Sequence, residues 1–328
     1  MNTSDLTFKI VTPLKPETIV PYLDYKSVCF EVLHKDSVSL VDSNIVKAYW
    51  TSINYPFTMS EMDKYPGVKY VISPTTGLTH IDTGEAARRN IKIISLNGEV
   101  DFLKKITATP EHAWGLILGV WRKSFVSNAL KEFRPDKREI FMSEQLAGKN
   151  ISLIGYGRIG KRLHTYASAF EMKVYIYDPY LEKSVIANLP ENAFYLQSLT
   201  EIAEISDVVV VCASVVNQNY EHYPIINSDF VSKLKESAIV VNIARGILVD
   251  ESALLEAVKC GNIRGIGLDV LQEEDLIDST SVTREIFEAK DTGLNIVVTP
   301  HIAGMCSDAL DQCMKLVAKI LVREILNV

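Results

Sequence analysis

The chain has 328 residues, of which 47% are hydrophobic, and this is enough for two ordinary domains with sizeable cores. The formal net charge of -7 and the lack of a Lys/Arg cluster argue against nucleic acid as a partner. There is no apolar N-terminal segment and no run of about 18 apolar residues, so we expect neither secretion nor membrane insertion. The five cysteines lack the close pairing of a metal site, and we expect free thiols in a reducing cytoplasm and no bound metal.

The N-terminal hundred residues alternate short apolar runs with helical stretches, a pattern typical of a parallel α/β domain. The runs that we predict to be strands are residues 8–11, 27–32, 48–50, 70–72 and 91–95.

A helix is predicted over residues 107–122, TATPEHAWGLILGVWR, where the chain crosses between two domains. Thr109 is the predicted N-cap, with Pro110 at the first helical position and Glu111 in the first turn. At the other end of the chain, residues 306–328 have the apolar periodicity of a helix. We expect that helix to pack back on the N-terminal domain.

Residues 151–178, ISLIGYGRIGKRLHTYASAFEMKVYIYD, have the pattern of a strand, a glycine turn, a helix and a second strand. Gly155 permits the tight turn, Gly157 lets the backbone approach a pyrophosphate, and Gly160 lets the helix lie close to the sheet. The N–H groups at the start of that helix, at the positive end of its dipole, would hold the diphosphate. The segment therefore predicts dinucleotide binding.

Asp178 ends the second strand of this unit, at the distance where an acidic residue accepts the adenosine ribose hydroxyls. Its charge would repel a 2′-phosphate, so the sequence predicts NAD rather than NADP. A GxGxxG pattern alone also fits an ordinary glycine turn. Here the strand before it, the helix after it and the acid together favour the dinucleotide interpretation.

Further apolar runs continue this second α/β system and are predicted to be strands covered by helices on both faces. They are residues 208–212, 239–242, 265–269 and 296–299. A cleft between two α/β domains is the expected place for chemistry.

Three polar residues follow predicted strands of the second system: Arg245 in VVNIARG, Glu274 in GLDVLQEE and His301 in VVTPHIAG. Ligands bind at this edge of open parallel sheets. Reduction of a 2-keto acid needs a cation for the carboxylate and carbonyl, a proton donor, and a group that tunes the donor. Arg245 is a permanent two-pronged cation, His301 can donate a proton near neutral pH, and a carboxylate such as Glu274 favours the charged imidazole.

Each of these residues also has a purely structural explanation. Arg245 before Gly246 fits a surface turn, Glu274 lies in an acidic stretch that fits a solvated loop, and His301 is placed to cap the next helix. Their coincidence at strand ends of one cofactor domain favours the catalytic interpretation. His112, in the helix of residues 107–122, is interpreted as a satisfied interface histidine rather than a catalyst.

Four motifs in this order, GYGRIG, VVNIARG, GLDVLQEE and TPHIAG, resemble those of the D-isomer-specific 2-hydroxyacid dehydrogenases, and the resemblance covers nearly the whole chain. It implies an α/β fold of two Rossmann-like, doubly wound parallel-sheet domains with the active site in the cleft between them. The substrate-binding domain would be residues 1–108 plus 302–328, and the NAD-binding domain residues 109–301. The resemblance further implies a homodimer, with the helix of residues 107–122 at the domain crossing and the subunit interface.

The resemblance also implies roles for individual residues. Arg245 would bind the substrate carboxylate, His301 would be the acid/base, and Glu274 would be the partner of His301. Asp269 would contact the nicotinamide carboxamide. The residues expected to bind NAD are Gly155, Gly157, Arg158, Ile159, Gly160, Asp178, Ile243, Ala244 and Asp269.

The substrate loop, SPTTGLTHID, departs from the family pattern. Thr75 stands where the first of two glycines is usual, and Thr79 and His80 replace a polar pair. We still expect main-chain amides near Thr76 and Gly77 to hold the substrate carboxylate. The loop contains no cation, which favours a small, unphosphorylated 2-keto or 2-hydroxy acid as substrate.

A second departure lies in VVVCASVVN, where Cys212 and Ser214 replace the family's usual His and Pro beside the adenine pocket. A second hypothesis for the whole chain is an NAD(H)-sensing binding protein, similar to the transcriptional co-repressors that share this fold. The complete set of Arg245, Glu274 and His301 favours the enzyme.

Overall fold

The structure is a computed structural model that describes residues 7–25, 28–38, 42–130, 135–215, 223–274 and 281–326. Two compact units divide the chain: unit 1 comprises Met1–Ile106 and Cys306–Val328, and unit 2 comprises Thr107–Met305. In the described ranges, no helix is both long and apolar enough to cross a membrane.

Unit 1 is built on one parallel sheet. Its strands are β1 (Thr7–Thr12), β2 (Cys29–His34), β3 (Ala48–Trp50), β4 (Tyr70–Ile72) and β5 (Lys92–Ile94). They lie in the order β2-β1-β3-β4-β5, and all neighbouring pairs are parallel. The helices of unit 1 are α1 (Met59–Lys64), α2 (Thr83–Arg88), α3 (Val100–Leu103) and α12 (Ser307–Leu326).

Both faces of this sheet are buried, because successive residues of a strand point to opposite faces. Ile10 packs in a cluster with α12, where Val317 and Leu321 are fully buried. The next residue, Val11, packs on the other face with Met62 of α1. This arrangement explains why the strands are continuous apolar runs rather than alternating ones.

Unit 2 holds a larger parallel sheet. Its strands are β6 (Asn150–Ile154), β7 (Lys173–Tyr177), β8 (Ala193–Tyr195), β9 (Val208–Val211), β10 (Ile239–Asn242), β11 (Gly265–Leu268) and β12 (Ile296–Val298). They lie in the order β12-β11-β10-β9-β6-β7-β8. The helices of unit 2 are α4 (Ala108–Trp121), α5 (Ser124–Asn128), α6 (Arg158–Ala169), α7 (Lys183–Ala187), α8 (Leu199–Ile205), α9 (Ser228–Ser232), α10 (Glu251–Lys259) and α11 (Val282–Ala289).

The order of strands in unit 2 reverses direction at β6, which pairs with β7 on one side and β9 on the other. Such a reversal opens a crevice beside the carboxyl ends of the strands, where open α/β sheets bind their ligands. The loops after β6, β7, β10, β11 and β12 all emerge at this edge because the strands are parallel. The predicted α/β class with parallel sheets is thereby confirmed.

One local prediction is wrong, and one strand was not predicted. Helix α4 begins at Ala108 with Thr107 at the N-cap, so the predicted N-cap at Thr109 is wrong. Pro110 then lies inside the first turn, where the missing N–H costs nothing because those donors have no partner in the helix. Strand β8 at the sheet edge was not predicted; unlike the equally short β3, it is not buried. Residue 27 of the predicted second strand lies outside the described residues.

Candidate active site

The glycine loop between β6 and α6 has the geometry that each glycine predicts. Gly155 has φ +99°, and a Cβ there would lie 2.7 Å from Ala213 Cα. A Cβ on Gly160 would lie 2.4 Å from the Gly155 carbonyl oxygen. Any side chain at these two positions therefore collides with main chain.

Gly157 differs from the other two glycines of the loop. Apart from Gly157 itself and its chain neighbours, no atom of the described residues lies within 4 Å of the position that its Cβ would occupy. Gly157 is also the N-cap of α6, and within the described chain no side chain caps this helix start. A hydrogen at Gly157 thus leaves open space at the N-terminus of α6, which fits a bound diphosphate. Arg158 and Ile159 follow in the first turn of α6, both partly exposed.

Asp178 orders the same loop. Its Oδ2 accepts a hydrogen bond from the Tyr156 main-chain N–H at 2.8 Å, and its Oδ1 accepts one from Tyr180 at 3.0 Å. The carboxylate is therefore fixed beside the glycine turn at the end of β7. This position fits a group that accepts ribose hydroxyls, and the negative charge disfavours a 2′-phosphate.

The side chain of Cys212 forms a hydrogen bond with the glycine loop. Its Sγ donates to the Gly155 carbonyl oxygen at 3.0 Å. Burial raises the pKa of the Cys212 thiol to about 12, and the charge of Asp178 acts in the same direction. The thiol is therefore neutral at physiological pH and acts as a hydrogen-bond donor and not as a nucleophile.

The loop after β10 carries Arg245. Asn242, which is fully buried, accepts from the Ala244 N–H at 3.0 Å and donates to the Arg245 carbonyl oxygen at 2.9 Å, so its side chain holds the turn. The Arg245 guanidinium donates to the Ala244 carbonyl oxygen at 2.6 Å. Burial lowers the pKa of this guanidinium, and the charge of Glu274 opposes that change. Ile243 and Ala244 are buried at 6% and 9% exposure.

Gly246 lets the turn of residues 242–246, the arginine turn, lie against the loop that leads to Glu274. A Cβ on Gly246 would lie 2.0 Å from the carbonyl carbon of Leu271 and 2.3 Å from the nitrogen of Gln272. The second loop is held in turn by Glu251 of α10, which accepts from the Gln272 N–H at 2.6 Å and from the Thr283 hydroxyl. The two loops are therefore fixed relative to each other.

The side chains of His301 and Glu274 are in contact at the carboxyl edge of the sheet of unit 2. The Nδ1 of His301 lies 2.8 Å from the Oε2 of Glu274, and both side chains remain partly exposed. Because a carboxylate only accepts, Nδ1 carries a proton, and Nε2 is the nitrogen left to exchange a proton with a substrate. The electrostatic interaction of Glu274 with Arg245 brings all three predicted residues into one group.

Asp269 holds the turn that carries His301. Its carboxylate accepts from Thr299 Oγ1 at 2.6 Å and from the N–H groups of Ile302 and Ala303, each at 2.9 Å. The side chain is 1% exposed, so these contacts occur in the interior. In the structure Asp269 thus organises the histidine turn, and its contact with a nicotinamide carboxamide stays a prediction.

His112 was missed by sequence reasoning as a residue of this site. Its Nε2 lies 3.0 Å from Thr299 Oγ1 and 3.3 Å from Asp269 Oδ1. The only local signal was a histidine on a largely buried helix, which does not reveal a partner 187 residues further along the chain.

The predicted substrate loop lies in unit 1, and its unusual side chains bond to one another. Ser73 Oγ lies 2.8 Å from Thr75 Oγ1 and 2.9 Å from His80 Nε2, and Thr75 Oγ1 donates to the Gly77 carbonyl oxygen at 2.9 Å. Within the described part of the chain, the N–H groups of Thr76 and Gly77 donate to no main-chain acceptor. Two adjacent free amides are suited to hold an anion.

Comparison with known proteins identifies similar chains. Residues 114–303 match the model of the family described as D-isomer specific 2-hydroxyacid dehydrogenase, NAD binding domain. A glyoxylate reductase of Thermofilum pendens is 31% identical over 80% of this chain and 73% of its own. A D-3-phosphoglycerate dehydrogenase of Bacillus subtilis is 27% identical over 75% of this chain, but this chain covers only 43% of that protein.

Among solved structures, a D-lactate dehydrogenase from Aquifex aeolicus, complexed with NAD and lactic acid, superposes with a TM-score of 0.78. The two chains are 23% identical, and the match covers 97% of this chain and 96% of the other. At this identity the likeness concerns the fold.

Proposed function

The chain belongs to the D-isomer-specific 2-hydroxyacid dehydrogenase family, and on that premise we propose that it transfers a hydride between NAD and C2 of a small D-2-hydroxy acid or its 2-keto acid. NAD-dependent oxidoreduction of hydroxy or keto acids is what the family has in common. The single observation that carries the proposal is the 2.8 Å contact between His301 Nδ1 and Glu274 Oε2 at the sheet edge of the NAD-binding unit. Bound NAD supplies the redox chemistry, by giving or accepting the hydride.

His301 is the proposed acid/base. In the reducing direction, the imidazolium gives the proton on Nε2 to the oxygen of the former carbonyl, and in the oxidising direction neutral Nε2 removes the hydroxyl proton. Glu274 stabilises the charged imidazole and fixes the orientation of its ring. The ring is partly exposed, which leaves it accessible to a small substrate.

Arg245 is the proposed substrate-binding cation. Its guanidinium is partly buried and its pKa is lowered by that burial, so binding of an anion would compensate a charge that the interior disfavours. A guanidinium can hold a carboxylate by two parallel hydrogen bonds while polarising the neighbouring carbonyl.

The substrate carboxylate is also proposed to bind the amides of Thr76 and Gly77, which are available in the structure. Thr75, Ser73 and His80 shape this loop, and none of them is a permanent cation. The loop therefore suits a small, unphosphorylated acid.

For the cofactor, we propose contacts from the glycine loop and from the residues beside it. Gly157 and the start of α6 would hold the diphosphate, and Asp178 would hold the adenosine ribose. The remaining proposed contacts are Gly155, Arg158, Ile159, Gly160, Ile243, Ala244 and Asp269. Unit 2 would then be the NAD-binding domain and unit 1 the substrate-binding domain.

A homodimer is proposed as well. Unit 2 exposes large apolar side chains after α4, namely Phe125, Ile140 and Met142, of which Met142 is 77% exposed. Exposed apolar groups of this kind favour contact between copies of a chain. Light scattering of the purified protein measures the mass, and a monomer over the whole concentration range contradicts the dimer.

The proposed reaction is tested with a panel of 2-keto acids that includes glyoxylate, each mixed with NADH, while the NADH absorbance is followed. We expect turnover with at least one small acid and its loss in the His301→Ala variant. If no acid is reduced although NADH binds tightly, the chain is an NAD(H)-binding protein rather than a dehydrogenase.

A further inference from the structure

A chain of hydrogen-bonded side chains runs from α4 to the turn of His301. It begins at His112, whose side chain is 23% exposed, and its Nε2 reaches Thr299 Oγ1 at 3.0 Å. Thr299 Oγ1 in turn lies 2.6 Å from Asp269 Oδ1. His112 belongs to none of the four family-like motifs.

The direction of each hydrogen bond follows from the acceptor at the end. The Asp269 carboxylate only accepts, so the single hydroxyl hydrogen of Thr299 points to Asp269. The hydroxyl oxygen must then accept from His112, which requires a hydrogen on Nε2. His112 also points this N–H at Asp269 Oδ1, 3.3 Å away. The role of His112 as a donor therefore holds for both the neutral and the charged ring.

Asp269 holds the turn of His301 through hydrogen bonds to its main chain. Its carboxylate binds the N–H groups of Ile302 and Ala303, and its own carbonyl oxygen accepts from the His301 N–H at 2.9 Å. His301 has φ +53°, in the left-handed region that few residues with a side chain adopt. The contacts of Asp269 with the N–H groups of residues 301–303 hold the main chain in this conformation.

We propose that His112 is a positioning residue for His301: its Nε2–H fixes Thr299 and Asp269, which hold the imidazole where it meets Glu274. This inference rests on the proposed function, since it assumes that His301 handles the proton. His112 itself touches neither substrate nor the reacting atoms in this proposal. It differs from Asp269 in lying on a separate element, α4, so its N–H ties that helix to the turn that carries His301.

The test compares three substitutions at one position. Glutamine can place an amide N–H where His112 has Nε2, asparagine is too short to do so, and alanine has no donor. We expect kcat to fall about 10- to 100-fold in His112→Ala and His112→Asn, as for a catalytic group displaced by a fraction of an ångström to one ångström. The KM for the keto acid changes little. His112→Gln restores most of kcat.

A second pair tests the middle of the chain. Thr299→Ser keeps the hydroxyl and should retain kcat, whereas Thr299→Val keeps the shape and loses both bonds, so its kcat should fall as in His112→Ala. Thermal unfolding of all five variants shows which of them fold, and kcat is compared per folded enzyme.

A third measurement does not depend on turnover. The amides of Ile302 and Ala303, which donate to Asp269, should exchange with deuterium faster in His112→Ala and His112→Asn than in the wild type, and at the wild-type rate in His112→Gln. The inference is overturned if exchange in this turn is unchanged, if kcat survives the loss of the donor, or if His112→Gln is as impaired as His112→Ala. Absence of turnover in the wild-type protein would instead contradict the proposed function.

Discussion

The imidazole of His301 and the carboxylate of Glu274 are joined by a 2.8 Å contact between Nδ1 and Oε2, although the two residues are 27 positions apart. This contact uses one ring nitrogen and leaves the other for proton exchange. In His301→Ala, kcat for keto-acid reduction should fall by about 10²–10⁴-fold, the usual contribution of a general acid. NADH binding, measured by fluorescence titration, should be unchanged, and turnover that survives the substitution contradicts the assignment.

The glycine loop allows cofactor binding to be separated from folding. Gly157→Ala adds a methyl group in open space, so the stability of the apoprotein should fall by no more than about 1 kcal/mol, the loss expected for alanine at an N-cap, while NADH binding weakens. Gly160→Ala is the matched control, because its Cβ would lie 2.4 Å from the Gly155 carbonyl oxygen and should cost about 1–3 kcal/mol of stability through overpacking. Calorimetry of both variants with and without NADH measures this. Equal NADH affinity in Gly157→Ala and wild type would show that the diphosphate binds elsewhere.

Asp178 should determine the preference for NADH over NADPH. Asp178→Asn removes the charge that repels a 2′-phosphate and keeps one oxygen to accept from Tyr156, so the ratio of kcat/KM for NADH to that for NADPH should fall at least about 10-fold. Glu182, an exposed carboxylate nearby in sequence, provides the control Glu182→Gln, which should leave the ratio unchanged. An unchanged ratio in Asp178→Asn refutes the ribose assignment.

Buried Glu251 should make stability depend on pH. Burial raises the pKa of its carboxyl above the ordinary value of 4.5, only partly offset by the hydrogen bonds from Thr283 and Gln272. The folded state therefore holds this proton more tightly than the unfolded state. The stability that this proton contributes is present below about pH 4.5, and it is lost as the pH rises through the folded pKa.

Glu251→Gln mimics the protonated form, and the Thr283 hydroxyl can turn to accept from its amide. The midpoint of denaturant unfolding should therefore rise, relative to wild type, as the pH increases above about 4.5. The exposed Glu236→Gln should follow the wild-type curve. Parallel curves for Glu251→Gln and wild type would show that the buried carboxyl carries no such linkage.

The features that local sequence predicts best are those whose signal lies within a few residues. The strand of residues 48–50 is recognisable because it is buried on both faces. Two of the glycines of GYGRIG are required because the backbone is crowded around them, and Asp178 is recognisable because it ends a strand. The fold class followed from the alternation of such segments. Strand β8 is as short as the strand of residues 48–50 but lies at the sheet edge without being buried, so it lacks this cause and was not predicted.

Side-chain partners across the fold were harder to predict. The composition of residues 107–122 indicates a helix, but not that His112 would contact Thr299, since this depends on how α4 lies on the sheet. In the same way Thr75 and His80 look like isolated departures in the sequence, yet both bond to Ser73 in unit 1. Such side-chain pairs depend on the packing of distant segments, and no local energetic preference in the sequence specifies them.

The missing side chain at position 246 has a consequence for attempts to redesign this chain. With only a hydrogen there, the arginine turn lies directly on the backbone of residues 271 and 272, so a mutational library that varies either segment alone will mostly yield damaged proteins. New substrate preferences are more accessible through residues 73–80, where the side chains of Ser73 and Thr75 bond within the segment. Directed evolution of this scaffold should therefore begin in that segment and leave the arginine turn as it is.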